Sequence, residues 1–459
     1  MSIKKAFTPA PEIRVRLNVG GLYDISTGRY YIGKRGESIL NGGLQAINII
    51  GGFGNSGKSL FDHSLMFVAL NNYVKADGML HDTELTVDIN RVIEASMLLP
   101  GATGESYLDS DRFVYTNQAQ EDCIANKWWP RIKDYLNSKI KAKDYLATPF
   151  IDSKNAVIKV LRPTILALDS LSEMQFDKSI ETQDDAEIGD SARNTEFMQE
   201  GGFKTRLLRE MSQIAPATNT YVIATVAIGL TQEMGRFPPP KLLDTLKNGV
   251  KFKNATNKLS TLSNSFLCSL KTEVETGSEK DVRYHYTPNS SFAGDTELKK
   301  VIYGDLRNKG GAVGPNLEFF YSQAEGMLYD LTNFNFFKEE DYGIEGNATT
   351  FRVSLKPDVV LNRKTVRTKL REDYRLRRAC EIQAQLMYIT KYWTTYPKDW
   401  LCTPKELYDD IKAMGYDWDE LLNTRGHWIF EEDTHPLNYL STECLLRIRK
   451  GLYVPYWKK

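Results

Sequence analysis

The sequence lacks the features that mark membrane-spanning and secreted proteins. No stretch of the 459 residues approaches the ~20 consecutive apolar residues that a membrane-spanning helix needs. The first 17 residues reach charge and proline before an apolar signal core could form, so we do not expect secretion. Cysteine is scarce, odd in number and without paired zinc-ligand spacing; the five are Cys123, Cys268, Cys380, Cys402 and Cys444. Scattered cysteines favour a reducing compartment, and we predict a cytoplasmic protein with no membrane partner.

The chain also has no excess of charge of either sign. Lys and Arg together number 59, and so do Asp and Glu, so the whole protein carries no general signal for nucleic acid or a membrane surface. A hydrophobic content of 41% and an aromatic content of 11% are ordinary for a folded protein and exclude wholesale disorder. The length is sufficient for one large core and one or two smaller modules.

Apolar runs alternate with helix-like segments between residues 44 and 331. The apolar runs are 45–50, 78–81, 164–169, 220–227, 265–270 and 301–306. Apolar strands separated by amphipathic helices indicate an α/β fold, a mostly parallel twisted sheet with helices on both faces. We predict that residues 41–340 form this core.

The two ends of the chain differ from this core. Residues 1–40 are polar and predict an N-terminal arm with short strands or turns, a candidate oligomerisation segment. Between positions 351 and 380 there are ten basic residues against three acidic ones. A helix-like stretch follows over 371–391. We therefore predict that 341–459 is a small, basic, mainly helical C-terminal module.

The most informative stretch, residues 47–60, is an apolar strand, a glycine-rich loop and a helix start. The loop matches GxxxxGKS from Gly52 to Ser59. Glycines let backbone N–H groups converge on phosphate oxygens, and the helix N-terminus adds a favourable dipole. Lys58 would reach the β- and γ-phosphates, and the Ser59 hydroxyl would ligate Mg²⁺. The predicted nucleotide-binding residues are Gly52, Phe53, Gly54, Asn55, Ser56, Gly57, Lys58, Ser59 and Leu60.

Two further apolar runs end in acidic residues. The run 164–169 ends in Asp169, as does a buried strand that delivers a carboxylate to the carboxyl edge of a sheet, so Asp169 is the predicted second Mg²⁺ ligand. The run 78–81 is followed by Asp82 and Glu84. Glu84 could activate the attacking water as a general base, and on spacing alone a solvated loop acid is an equal interpretation.

With these motifs the chain resembles the RecA-type recombinase superfamily, and within it the phage UvsX-like recombinases, over residues 40–335. Asp82-Thr83-Glu84 matches the family motif D-[S/T/A]-E, and Asp169-Ser170-Leu171 matches its Walker B motif. The resemblance implies a RecA-like P-loop ATPase core, ATP and Mg²⁺ as cofactors, and Glu84 as the catalytic glutamate. It also implies that Arg91 stacks on adenine.

The block 301–309 resembles a family segment that carries two basic residues separated by one. In the family these residues reach across the subunit interface to the neighbour's γ-phosphate. The resemblance therefore implies that Arg307 and Lys309 act on the nucleotide of a second subunit, where their charge would stabilise the leaving phosphates. A solvated basic loop is the alternative interpretation.

The stretch 235–258 lies where the family has its mobile DNA-binding loop. A glycine- and lysine-rich loop can follow a single-strand backbone while its charges release counterions. The predicted DNA-binding residues are Arg236, Lys241, Lys247, Lys251, Lys253 and Lys258. The basic segment 363–378 is a second candidate surface. Ala227 stands where the family places a Gln or His that senses the γ-phosphate, so we expect weak or different coupling between ATP and DNA.

The function that the resemblance implies is an ATP-dependent recombinase that forms filaments on single-stranded DNA and promotes homologous pairing and strand exchange. Two alternatives stay open. One is a DnaB-like ring helicase or translocase with the same ATPase core. The other is a regulatory RecA-like ATP-binding protein, which Ala227 favours. The expected partners are single-stranded DNA, other copies of the chain, and a recombination mediator or single-strand-binding protein.

Overall fold

The computed structural model describes most of the chain. For residues 192–199, 230, 250, 251 and 274 it describes the backbone alone. The described residues are 10–85, 87–90, 92, 110–116, 124–177, 192–230, 250–256, 258–274, 284, 298–311, 315–322, 325–347 and 349–458.

The described part of the chain contains seventeen strands and eleven α-helices, which are numbered in chain order. The strands are β1 Tyr30–Ile32, β2 Ser38–Leu40, β3 Ile47–Gly52, β4 Asp77–Asp82, β5 Phe113–Thr116, β6 Tyr145–Ile151, β7 Val157–Leu161, β8 Thr164–Asp169, β9 Thr220–Leu230, β10 Val250–Phe252, β11 Ser265–Val274, β12 Lys299–Asn308, β13 Asn316–Ser322, β14 Gly326–Met327, β15 Ile344–Gly346, β16 Phe351–Val353 and β17 Lys356–Leu361. The helices are α1 Gly21–Thr27, α2 Lys58–Asn72, α3 Ala125–Ala142, α4 Ala192–Ala217, α5 Leu259–Leu262, α6 Tyr329–Lys338, α7 Val366–Glu372, α8 Tyr374–Tyr392, α9 Pro404–Ala413, α10 Trp418–Leu422 and α11 Thr442–Arg449. None of the described helices is both long enough and apolar enough to cross a membrane.

Ten of these strands form one large mixed sheet. Its order is β14-β13-β12-β11-β3-β9-β8-β4-β5, with β10 paired to β9. The six strands from β11 to β5 in this order run parallel, whereas β12, β13, β14 and β10 pair antiparallel. Every apolar run that predicted a strand is a strand of this sheet. The predicted α/β class with a mostly parallel sheet is therefore confirmed.

Helices cover both faces of the large sheet, as the apolar strands predicted. In β8, Ile165 and Ala167 belong to one apolar cluster with residues of α2, while Leu166 and Leu168 belong to another with residues of α3 and α4. Successive side chains of a strand point to opposite faces, so a fully apolar strand needs cover on both sides. The phosphate-loop strand β3 lies in the middle of this sandwich, between β11 and β9.

The segment predicted to be an N-terminal arm lies, from residue 10 onward, against the body of the protein. Leu17 is fully buried in the cluster that contains α2, and α1 packs on the long helix α8. The segment also contacts the C-terminal region, where the Ser441 hydroxyl donates a hydrogen bond of 2.6 Å to the Ser38 carbonyl. Its part in oligomerisation stays a prediction.

Residues 341–458 form a mainly helical region with one small antiparallel sheet, β15-β16-β17. Helix α8, Tyr374–Tyr392, confirms the helix predicted over 371–391. Several cations of the basic segment 363–378 are ion-paired inside the protein. Arg367 and Arg371 both contact Glu325, with a distance of 2.6 Å from Arg371 Nη1 to Glu325 Oε1. The local positive charge seen in the sequence is thus partly neutralised by acids from elsewhere in the chain.

Candidate functional site

The predicted phosphate loop lies at the carboxyl edge of the large sheet. Gly52 ends β3, residues 53–57 form the loop, and Lys58, Ser59 and Leu60 begin α2. Gly57 has a φ of +76°, in the left-handed region that favours glycine. A Cβ atom at this position would also lie 2.9 Å from the Tyr321 ring. The loop geometry therefore depends on glycine immediately before the lysine.

The side chain of Lys58 turns back over this loop. Its Nζ donates a hydrogen bond of 2.8 Å to the Phe53 carbonyl. Burial lowers the pKa of Lys58, whereas the charges of Asp169 and Glu84 raise it and the charge of Lys253 lowers it. These electrostatic interactions show that the ammonium group lies within one cluster of two acids and a second lysine.

The carboxylate of Asp169, at the end of β8, is buried next to the start of α2. Thr225 Oγ1 donates to it at 2.8 Å, and His63 Nε2 lies 3.5 Å away. Burial alone would raise the pKa of Asp169, but its interactions with His63, Ser59 and Thr225 bring the pKa below its usual value. The carboxylate is therefore held ionised in a buried position.

The Ser59 hydroxyl and the Asp169 carboxylate are oxygen ligands of the kind that Mg²⁺ binds. The ion prefers oxygen ligands and is usually held by one or two carboxylates together with phosphates and water. Ser59, in the first turn of α2, and Asp169, at the end of β8, are the two residues predicted to ligate it. Within the described residues there is no group of three or more His, Cys, Asp or Glu side chains that would hold a metal by protein ligands alone.

Glu84 lies beyond the end of β4, next to β8 in the sheet. Asp82 is opposite Asp169 in the parallel register, and the Thr83 N–H donates 2.7 Å to the Asp169 carbonyl. Asp82 Oδ1 accepts from the Glu84 N–H at 3.0 Å, which orders the turn. The Glu84 side chain is exposed, and partial burial, followed by the charge of Asp169, raises its pKa. The structure thus brings Glu84 to the same cluster as Lys58 and Asp169.

Three residues of this cluster were not predicted from the sequence. His63 and Thr225 contact the Asp169 carboxylate. Asp62 is fully buried close enough to Asp169 for that charge to raise its pKa. His63 could have been found, because it follows Ser59 by four residues and lies on the same face of α2. The only signal for Thr225 is a hydroxyl within an apolar strand.

The predicted DNA-binding residues are only partly described. Arg236, Lys241 and Lys247 lie outside the described residues, as does the predicted adenine contact Arg91; Lys251 is described by its backbone alone. Lys253 and Lys258 are exposed.

Lys253 belongs to the nucleotide side of the molecule. Its N–H donates 2.9 Å to the carbonyl of Ala227, the residue opposite Gly52 in the sheet. Its side chain lies over Gly229, where a Cβ atom would be 2.6 Å from Lys253 Cε. A lysine predicted to contact DNA is thus next to the phosphate loop, beside the residue that lacks a sensing side chain.

Arg307 and Lys309 lie at the other edge of the sheet. The Lys309 N–H donates 2.9 Å to the Asn264 carbonyl, and the Asn264 N–H donates 2.8 Å to the carbonyl of Ile47, the first residue of β3. The phosphate loop begins at the opposite end of that strand. Arg307 Nε donates 2.9 Å to the Ser263 carbonyl. Neither residue reaches the phosphate loop of its own chain.

No protein-family model and no curated protein matches the chain. The fold and the site define a mixed α/β protein in which a glycine-containing loop, a lysine and a buried carboxylate lie at the carboxyl edge of a mostly parallel sheet.

Proposed function

We propose that the chain is an ATP-dependent recombinase with a RecA-like P-loop ATPase core, which binds single-stranded DNA, forms filaments and promotes homologous pairing and strand exchange. The observation that carries the proposal is the 3.5 Å contact between His63 Nε2, on the helix that begins at Lys58, and the buried carboxylate of Asp169. It places the helix that follows the glycine-containing loop against the acid that ends β8. A nucleoside triphosphate with Mg²⁺ requires both features together.

The triphosphate would lie along loop 53–57 with its terminal phosphates at the start of α2. Backbone N–H groups of the loop and the positive end of the helix stabilise negative charge there. The Lys58 ammonium, which donates to the Phe53 carbonyl, would exchange that neutral acceptor for a phosphate oxygen. Because the phosphate oxygen is charged and the carbonyl oxygen is not, the exchange adds an ion-pair attraction, which favours binding.

Ser59 and Asp169 are the residues that would hold Mg²⁺, which neutralises charge on the β- and γ-phosphates when bound. The hydrogen bond from Thr225 and the nearby His63 favour the charged form of Asp169 in spite of its burial. His63 and Thr225 act through Asp169 and are positioning residues.

Glu84 would orient and deprotonate the attacking water. Its raised pKa makes the carboxylate a better proton acceptor near neutral pH than an ordinary glutamate. The ordered turn after β4, fixed by Asp82, holds the carboxylate at the mouth of the cluster.

Lys253 weakens the case for a purely regulatory protein. That alternative depended on Ala227, which cannot hydrogen-bond a γ-phosphate through its side chain. Lys253 is bonded through its backbone to Ala227 and carries a cation toward Lys58. It also follows β10 directly and belongs to the stretch 235–258, where the sequence predicts DNA contacts.

Calorimetric titration with Mg²⁺ and ATP tests the nucleotide site. We expect the wild-type chain to bind and Lys58→Ala to lose about 100-fold or more in affinity, because a charge-assisted phosphate contact is removed. Lys154→Ala, at an exposed lysine of the β6–β7 turn, is the control and should bind like the wild type. Equal affinity of Lys58→Ala and wild type would reject the phosphate loop as the binding site.

Electron microscopy with ATP and single-stranded DNA tests the finer proposal. Helical filaments, together with exchange of homologous strands in solution, are the expected result. Closed rings would favour the helicase, and single subunits that retain ATP would favour the regulatory protein; either result would reject the recombinase.

A further inference from the structure

The strands β13 and β14 form a short hairpin at the end of the large sheet. In the antiparallel register Tyr321 is opposite Met327, and Ser322 is opposite Gly326. The turn between the strands contains Glu325, whose N–H donates a hydrogen bond of 3.0 Å to the Ser322 hydroxyl. We call these two strands and their turn the β13–β14 hairpin. It contacts the phosphate loop through its strands and the C-terminal region through its turn.

The two strands of the hairpin pack on the phosphate loop and on helix α2. The buried Tyr321 ring would lie 2.9 Å from a Cβ atom at Gly57, and Tyr321 Oη lies 3.5 Å from the Asn55 carbonyl oxygen. The Met327 N–H donates a hydrogen bond of 3.2 Å to Ser64 Oγ, in the second turn of α2. The hairpin therefore supports both parts of the proposed phosphate site, the loop and the helix.

A layer of buried aromatic rings extends this support below the loop. The ring of Phe61, in the first turn of α2, packs on Tyr303 of β12 and on Phe319 of β13, with ring centroids 5.2 Å and 4.8 Å apart. Tyr303 Oη also lies 3.5 Å from the Ser56 carbonyl oxygen. Because close-packed interiors transmit small shifts, a displacement of β13 would also displace the start of α2.

The turn of the hairpin is held by two arginines of helix α7, in the C-terminal region. Arg371 Nη1 lies 2.6 Å from Glu325 Oε1, and Arg367 contacts Glu325 Oε2. The Glu325 side chain is 13% exposed and that of Arg367 is 6% exposed. Burial penalises the charged form of both groups, so each depends on its partner. Removal of the charge of Glu325 would therefore weaken the contact between α7 and the hairpin.

Helix α7 is itself fixed to the C-terminal region. Arg367 and Arg371 are four residues apart and so lie on one helix face. Val366 and Leu370, each one residue earlier, are buried in the same apolar cluster as residues of α8. The two arginines thus connect a packed helical region to the hairpin. Both belong to the segment 363–378, which the sequence made a second candidate surface for DNA.

We propose that Glu325, Arg367 and Arg371 control the affinity of the phosphate loop for a nucleoside triphosphate, because they fix the β13–β14 hairpin against the loop. This inference rests on the proposed function, and it gives the C-terminal region a part in the nucleotide site. Tyr321 and Glu325 are positioning residues, which act on the nucleotide through the loop. A loop already held in its binding conformation loses less conformational entropy when the ligand binds. By linkage, a bound nucleotide stabilises the contact of α7 with the hairpin to the same extent.

The first test uses the full chain with Glu325→Gln, which removes the charge and keeps the size of the side chain. We expect its affinity for the non-hydrolysable ATP analogue β,γ-imido-ATP with Mg²⁺ to fall about fivefold in calorimetric titration, because the loop is less ordered beforehand. The control is Glu210→Gln, which removes a carboxylate that also contacts two cations, Lys133 and Arg206, across the sheet from α2. Melting temperatures of both variants verify that they fold.

An affinity of Glu325→Gln equal to that of the control would reject the inference and leave the proposed function standing. A wild-type chain that does not bind the analogue would reject both. The exposed Arg371 offers a milder change, and Arg371→Met should lower the affinity by about twofold because Arg367 still holds the turn. If Arg371→Met instead weakens single-stranded DNA binding and leaves nucleotide affinity unchanged, the arginines are a DNA surface and the inference is wrong.

A double-mutant cycle tests whether Glu325 acts through Tyr321. We expect Tyr321→Leu, which removes the ring from Gly57, to lower the affinity about tenfold, whereas Tyr321→Phe keeps the ring and should bind within about twofold of the wild type. Adding Glu325→Gln to Tyr321→Leu should cost little more, since the support is already lost. Losses that multiply in the double variant would reject action through Tyr321.

Amide hydrogen exchange of helix α7 gives a measurement that a merely structural role would not change. Saturating β,γ-imido-ATP should slow exchange in Val366–Glu372 in the wild type and in Glu210→Gln, because the nucleotide stabilises the contact with the hairpin. In Glu325→Gln the same ligand should leave exchange in this helix unchanged. Equal exchange in the wild type with and without the analogue would show that the two regions are not coupled and would overturn the inference.

Discussion

The two edges of the large sheet handle charge in different ways. At the carboxyl edge, the Asp169 carboxylate accepts a hydrogen bond from Thr225 Oγ1 and lies 3.5 Å from His63 Nε2, and Lys58 donates to a backbone carbonyl. At the amino edge, Arg14, Arg16, Arg29 and Lys309 line one cavity, and no carboxylate of the described residues lines it. Charged groups that have partners within the chain are stabilised in the absence of a ligand. Cations that share a cavity without a carboxylate repel one another, and a bound anion would remove this repulsion. The carboxyl edge therefore supplies partners for its own charged groups, whereas the amino edge supplies no carboxylate to that cavity within the described residues.

Removing the proton acceptor should have the largest effect and should separate the two edges most clearly. We expect Glu84→Gln to lower ATP turnover by about 10²–10⁴-fold, because general bases contribute this much. Binding of β,γ-imido-ATP and assembly should change by less than about threefold, since Glu84 is exposed at the mouth of the site. Phosphate release at saturating ATP measures the effect, with Glu340→Gln as control. Unchanged turnover would remove Glu84 as the base.

Asp62 is a carboxylate at the carboxyl edge that lacks such partners in the described part of the chain. Asp62 is fully buried, both of its oxygens lack a hydrogen-bond partner within the described residues, and burial, followed by the charge of Asp169, raises its pKa well above the usual value. The substitution Asp62→Asn replaces this carboxyl group by an amide, which does not bind or release a proton in this pH range. Above about pH 4 the unfolded wild type releases a proton that the folded state retains, so wild-type stability falls as pH rises.

We therefore expect Asp62→Asn to unfold like the wild type near pH 4 and to gain about 2 kcal/mol relative to it at pH 7. Urea unfolding at a series of pH values measures this difference. Asp341→Asn, at an exposed aspartate, is the control and should show no such slope. A difference that shrinks as pH rises would mean that Asp62 is ionised in the folded protein.

Ionic strength should act mainly on the amino edge. Raising salt from about 0.05 M to about 0.5 M shortens the Debye length from roughly 14 Å to roughly 4 Å and screens the solvent-exposed cations. We expect the concentration needed for assembly to rise about tenfold, and the affinity of isolated subunits for the Mg²⁺–nucleotide complex to fall by less. Equal salt dependence of both quantities would contradict the difference between the edges.

Much of the carboxyl edge could be predicted because its signals are local. The loop before Lys58 and the acid that ends β8 are each legible within a few residues of sequence, and parallel strands bring their carboxyl ends to one edge. His63 follows Ser59 at helical spacing. The burial of Asp62 could not be predicted, because α2 is covered by strands from later in the chain, such as β8 and β9.

The cluster of Arg14, Arg16, Arg29 and Lys309 could not be predicted, because its residues come from segments that are far apart in the sequence. Arg14 and Arg29 come from a segment that looked like a solvated arm, and Lys309 comes from the end of β12. Conversely, the strongest basic signal in the sequence, 363–378, loses much of its charge to acids such as Glu325. Whether a cation is paired depends on tertiary contacts, so local charge in a sequence does not identify a binding surface.

Lys253 offers the smallest but most discriminating change. Its side chain lies over Gly229 beside the phosphate loop, where a cation would meet the γ-phosphate. We expect Lys253→Met to lower affinity for β,γ-imido-ATP about fivefold and to leave affinity for ADP unchanged, because only the triphosphate presents that group. The ratio of the two affinities is the measurement, with Lys154→Met as control. An unchanged ratio with weaker single-stranded DNA binding would return Lys253 to the DNA-contacting role that the sequence predicted. In that case no side chain beside Ala227 would contact the γ-phosphate, and the site could bind ATP without distinguishing it from ADP.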